Sequence, residues 1–108
     1  MLIQGERSTD EWWRAEYLRL RGDFSLRSPH DDPSAAERLY RQAISVAAGQ
    51  QAKSLELRAA TSLAMLLGER RRPTEGYAVL APVYNWFTEG FDTLDLKEAK
   101  TLLNGLPA

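Results

Sequence analysis

The side chains that could do chemistry are few and scattered. The single histidine, His30, stands beside Asp31 and Asp32, and one imidazole with two carboxylates is the start of a metal-ligand set. Ser28 and Pro29 make the same stretch turn chemistry, and no second cluster exists to close a shell, so it reads as a solvated loop. Glu89, Asp92 and Asp95 add three carboxylates, but they lack the alternating oxygen ligands of a calcium loop and read as caps and solvation. The absence of cysteine excludes disulfides and thiolate metal sites. No serine sits in a nucleophile-elbow context, no Gly-x4-Gly-Lys-[Ser/Thr] loop occurs, and no carboxylate pair is set across a cleft. The expectation is a non-enzymatic protein with no cofactor and no metal.

Bulk charge narrows the partners. The 108 residues carry 14 basic and 15 acidic side chains, a net charge of −1. Such a balance gives no general grip on nucleic acid or an anionic membrane. A helix-turn-helix reader needs a basic recognition helix, and the candidate helices are neutral or mixed. The longest apolar run falls far short of the roughly 20 residues of a bilayer span. The opening MLIQGERSTDE lacks the basic-then-apolar order of a signal peptide. One soluble, cytoplasmic domain over residues 1–108 is expected, with 1–7 as a frayed lead-in.

The scaffold that would position any site reads as helical throughout. Ala52 to Leu67, AKSLELRAATSLAMLL, is the one long stretch rich in alanine and leucine with no proline or glycine. Leu55, Ala59, Leu63 and Leu66 share one face, and Ala60, Ala64 and Leu67 widen it, so this helix packs on both flanks. Lys53, Glu56, Arg58, Thr61, Ser62 and Met65 fall on the other side, as a wet strip. Arg70, Arg71 and Arg72 suit the negative helix end ahead of Pro73. A first helix is expected from about Thr9 to Leu26, after a capping box at Ser8–Glu11. Its apolar positions are Trp12 or Trp13, Ala15, Leu18, Leu20 and Phe24. Gly22 inside it costs roughly 1 kcal/mol of helix propensity and marks a close helix crossing. Asp32 and Pro33 open a second helix with the stripe Ala36, Leu39, Tyr40, Ala43, Ile44 and Ala47, closed by Gly49. Glu37 and Arg41 pair on its wet face. A fourth, from Pro73, carries Tyr77, Leu80, Ala81, Tyr84 and Phe87, and Pro82 inside it predicts a kink. The aromatic run Asn85–Phe91 reads as core beneath a fifth helix. Asp92 or Thr93 caps that fifth helix, whose apolar side is Leu96, Ala99, Leu102 and Leu103.

The pattern repeats. Ala36-x3-Tyr40-x2-Ala43 lines up with Gly76-x3-Leu80-x2-Val83 at an offset of roughly 40 residues, within the range of helical repeats. Leu18-x2-Arg21-Gly22 lines up with Ala60-x2-Leu63-Ala64. This resembles the tetratricopeptide repeat, with a spacing longer than the usual ~34 and without the tyrosine after Leu-Gly. Trp13-x-Ala15-Glu16, Ala52–Ala60, Leu80–Tyr84, Phe87–Thr93 and Asp95–Ala99 together resemble the C-terminal tetratricopeptide region of bacterial adenylate/guanylate cyclase or ATPase-type signalling proteins. That resemblance implies an all-α stack of helical hairpins: two degenerate repeats plus a C-terminal capping helix. It implies a protein–protein interaction scaffold and no nucleotide chemistry.

Two surfaces follow. In the repeat register Glu16, Arg19 and Asp23 from the first unit, and Arg58, Thr61, Met65 and Glu69 from the second, line a concave groove for a peptide or partner helix. Trp12, Trp13, Tyr17 and Phe24 load the first helix with more aromatic surface than one flank hides, which predicts self-association as a homodimer.

Overall fold

The computed structural model describes residues 11–107. They form five helices: α1 (Arg14–Ser25), α2 (Pro33–Gly49), α3 (Lys53–Glu69), α4 (Pro73–Trp86) and α5 (Leu94–Gly105). Consecutive helices pack as hairpins and the hairpins stack. α3 touches all four other helices, α1 and α5 flanking it in one layer and α2 and α4 covering it in the other. The thinnest dimension, 20 Å between Cα extremes, is that of two helix layers. The frayed lead-in over 1–7, the capping box at Ser8 and the helix start at Thr9 lie outside the described residues.

The sequence builds these elements locally. Asp32 Oδ1 accepts the Ala35 N–H at 3.1 Å and Pro33 occupies the first helical position, which starts α2. Thr93 caps α5, its hydroxyl accepting from Leu96 N at 3.4 Å. The α2–α3 and α3–α4 turns have the same construction. Each is three residues long, with its middle residue left-handed: Gln51 at φ 58° and Arg71 at φ 65°. In each, the residue after it donates five positions back, Ala52 N to Ala47 O and Arg72 N to Leu67 O, as in a Schellman closure. The sequence reading placed the stop of α2 at Gly49, but Gly49 is the last helical residue and Gln51 makes the turn.

The core runs through α3. Leu57, Ala60 and Ala64 join Leu80, Val83, Leu96 and Ala99 on one side, while Leu63, Leu66 and Leu67 join Ala36 and Tyr40 on the other. Ile44 and Val79 touch both groups and make them continuous. Two glycines permit the closest approaches. A Cβ at Gly22 would lie 2.6 Å from Tyr40 Cε1, so the crossing read from the sequence is present. A Cβ at Gly76 would lie 2.9 Å from the Ala64 carbonyl oxygen, where α4 presses on α3.

Four expectations need correction. α1 starts at Arg14, after a turn over Glu11–Trp13, and its buried residues are Ala15 and Gly22. Leu20 and Phe24 are exposed: among the described residues, α1 packs against α2 and α3 alone. Glu56, placed on the wet strip, is 8% exposed, and Leu57, absent from the predicted stripe, is buried. With four neighbours, α3 keeps a narrower wet strip than an amphipathic helix with one. Trp86 and Phe91 are exposed rather than core. Phe87 leaves the helix in extended backbone and α5 returns over α3, so within the aromatic run Phe87 packs inward, beside Tyr84 of α4. Arg72 does more than face a helix end: it bonds Glu37 and Glu75. Pro82 lies inside α4, as read from the sequence, and the helix continues past it to Trp86.

Candidate functional site

The α1–α3–α5 layer carries one charged residue per helix in a row. Arg58 on α3 reaches Glu16 on α1 at 3.4 Å and Asp95 on α5 at 2.9 Å. The result is a ladder of alternating charge across the α1–α3–α5 layer. Arg19, a turn further along α1, grips Glu16 through two N–H donors at 3.0 and 2.6 Å and reaches Asp23 at 3.5 Å. The Arg19 hydrogen bond holds the Glu16 carboxyl below its usual range. The Asp95 bond keeps the Arg58 guanidinium charged more firmly still.

Beside this paired end the layer opens. A cleft of about 240 Å³ is bounded by Asp23 and Tyr40 on one side, Thr61, Met65 and Glu69 along α3, and Glu98 on α5. Met65 on its rim is half exposed, a flexible, polarizable side chain. Tyr40 forms the floor, and its hydroxyl donates to Asp23 Oδ1 at 2.5 Å. Burial first, and then the Asp23 carboxylate, push the phenol well above its ordinary value, so it stays a donor at any physiological pH.

All seven residues expected in the groove therefore lie on this layer, but in two groups. Glu16 and Arg19 on α1 and Arg58 on α3 are tied up with one another and with Asp95. Asp23, Thr61, Met65 and Glu69 line the open cleft. Asp95, Glu98 and Tyr40 were missed as groove residues. Asp95 was read as a capping and solvating carboxylate, Glu98 had no reading of its own, and Tyr40 was read only as core. The signal that finds them is the packing of α5 beside α3.

The remaining candidates lie elsewhere. Tyr17 and Phe24 are exposed on α1, Trp12 is exposed in the turn before it, and Trp13, exposed at the N-cap, sets its ring edge against Tyr17 at 5.7 Å. Leu20 continues the line, so Trp13, Tyr17, Leu20 and Phe24 share a stripe at four, three and four residue intervals. His30 packs against Phe24, with ring centroids 4.6 Å apart and planes tilted by 47°, while Asp32 is spent on its cap. Among the described residues no group of three His, Cys, Asp or Glu could hold a metal ion, and no helix is long and apolar enough to cross a membrane. No protein-family model, curated protein or solved structure matches the chain.

Proposed function

We propose that this chain is a non-catalytic, tetratricopeptide-like interaction module of the cytoplasm. It binds an extended peptide or a partner helix across the α1–α3–α5 layer. The observation that carries the reading is the cleft itself: a polar rim around an exposed methionine, on the layer where three alternate helices lie side by side. The ladder of Glu16, Arg58 and Asp95 stiffens that layer and sets the spacing of its helices. The resemblance to the terminal repeats of bacterial signalling ATPases and cyclases fits a scaffold role beside a catalytic partner.

The test is selection of a displayed peptide library on the whole chain, repeated with Thr61→Arg/Met65→Arg. Both positions are at least partly exposed, so the double variant keeps its helical circular dichroism. Peptides enriched on the parent are expected to lose binding to the variant by about tenfold or more, as for a central contact. Equal binding to both proteins removes the groove assignment.

A second reading has its own observation. The exposed stripe on α1 is apolar over more than two helical turns, and Trp12, 67% exposed, adjoins it. Self-association through this face predicts a dimer in sedimentation equilibrium that Tyr17→Glu/Phe24→Glu dissociates. A strict monomer at high concentration rules that out.

A further inference from the structure

The open end of the α1–α3–α5 layer is lopsided in charge. Asp23, Glu69 and Glu98 edge the cleft, and among the described residues no lysine or arginine lines it. Asp23 has partners, accepting from the Tyr40 hydroxyl at 2.5 Å and pairing with Arg19 at 3.5 Å. Glu69 and Glu98 are exposed, and among the described residues neither has a hydrogen bond or an ion pair. The two arginines of the ladder cannot answer them. Arg19 is held by Glu16 and Asp23, and Arg58 by Glu16 and Asp95.

The floor of the same cleft is apolar and fixed in shape. Tyr40 and Leu66 line it from within one core group, and Leu26 packs against that group. At about 240 Å³ the cleft is smaller than the roughly 300–1,000 Å³ of a small-molecule site. Its three carboxylates do not come together as a group that could hold a metal ion. An apolar floor below a carboxylate rim suits a cationic head on a long methylene stem. Lysine and arginine lay that stem along apolar surface and keep the charge at its edge.

We infer that the groove takes a basic segment of a partner protein. One lysine or arginine side chain of that segment lies over Leu26, Tyr40 and Leu66 and ends against Glu69 and Glu98, with Met65 beside its stem. This rests on the groove reading proposed above and adds the chemistry of the occupant. Charge complementarity selects the basic partner, and an acidic segment is repelled by the same rim.

The test is random-peptide display on the whole chain, on Glu69→Lys/Glu98→Lys and on Thr61→Arg/Met65→Arg. The parent is expected to enrich a lysine or arginine at one fixed position, and the lysine variant an aspartate or glutamate there instead. A peptide selected on the parent is then followed by fluorescence anisotropy. Its affinity is expected to fall about tenfold when the fixed arginine becomes citrulline, or the fixed lysine acetyl-lysine. A similar fall is expected when the protein carries Glu69→Gln/Glu98→Gln, at exposed, unpaired positions that leave the fold intact. Both losses shrink with salt, and together they cost little more than either alone, because each removes the same contact. Peptides that fail on Thr61→Arg/Met65→Arg but carry no fixed basic residue overturn the inference and leave the groove reading standing. Basic peptides indifferent to Glu69→Gln/Glu98→Gln, or two losses that simply add, overturn it as well. No enrichment, or equal binding to Thr61→Arg/Met65→Arg, removes the groove and this occupant with it. Competition by spermidine as effective as by unlabelled peptide also overturns the inference, since the rim is then a general cation patch.

Discussion

At the scale of single residues, Tyr40 and Gly22 form one joint. The glycine lets α1 lie flat on the tyrosine ring, and the ring's hydroxyl returns a hydrogen bond to Asp23 on α1. Gly22→Ala gains roughly 1 kcal/mol of helix propensity but drives a methyl into a ring that has nowhere to turn, an overpacking worth about 1–3 kcal/mol. Net destabilisation by chemical denaturation is expected, where an ordinary helical Gly→Ala change stabilises. Tyr40→Phe leaves Asp23 short of a donor and is expected to cost about 1–2 kcal/mol. Arg71 behaves in the opposite sense. A left-handed residue with a Cβ is strained by roughly 1–2 kcal/mol, so Arg71→Gly is expected to stabilise by about 0.5–1 kcal/mol after its entropy cost. Gly22 was legible in the sequence because a glycine inside a helix needs a reason. The left-handed Gln51 and Arg71 were not, since neither type advertises the conformation, and Gly49 drew attention away from its neighbour. Glu56 was illegible for a different reason. A carboxylate is expected in water, and only the crowding of α3 by four helices puts it inside, with Lys53 Nζ 3.3 Å away.

At the scale of elements, α2 and α4 are joined by charge more than by packing. Arg72, at the start of α4, bonds Glu37 of α2 at 2.8 Å and Glu75 at 2.8 Å, and Arg41 of α2 crosses to Glu75 at 2.9 Å. The Arg72 hydrogen bonds hold both glutamates below their usual range. A carboxylate with a depressed folded value contributes stability above its unfolded value, about 4.3, and loses it as pH falls through the folded one. The melting temperature is therefore expected to hold from neutral pH to about pH 5 and to fall below about pH 4.5. Arg72→Met should flatten that acid limb, and added salt should reduce the difference, because these groups face solvent. An unchanged acid limb in Arg72→Met removes the clamp from the account. The helices themselves were readable from three-and-four spacing, the Asp32–Pro33 start and the Thr93 cap. The clamp was not, because Glu37–Arg41 satisfies a local rule and hides the partner 35 residues away.

At the scale of the whole molecule, everything hangs on α3. It touches every other helix and carries most of both core groups, so Leu63→Ala, at a fully buried position, is expected to cost about 2–5 kcal/mol out of a total of roughly 5–15. Unfolding should remain a single transition, since no helix has a core of its own. The hairpin stack was visible from the internal offset of the sequence. The division of the α1–α3–α5 layer into a paired end and an open end was not, since it depends on where α5 returns. The claim that matters most is that the open end is where a partner sits. Backbone amide shifts of the labelled chain, recorded while a library-selected peptide is titrated in, test it directly. The account predicts that the largest shifts fall on Asp23, Thr61, Met65, Glu69 and Glu98, with Trp12 and Tyr17 unmoved. Shifts concentrated on the outer stripe of α1, with Met65 silent, would contradict it.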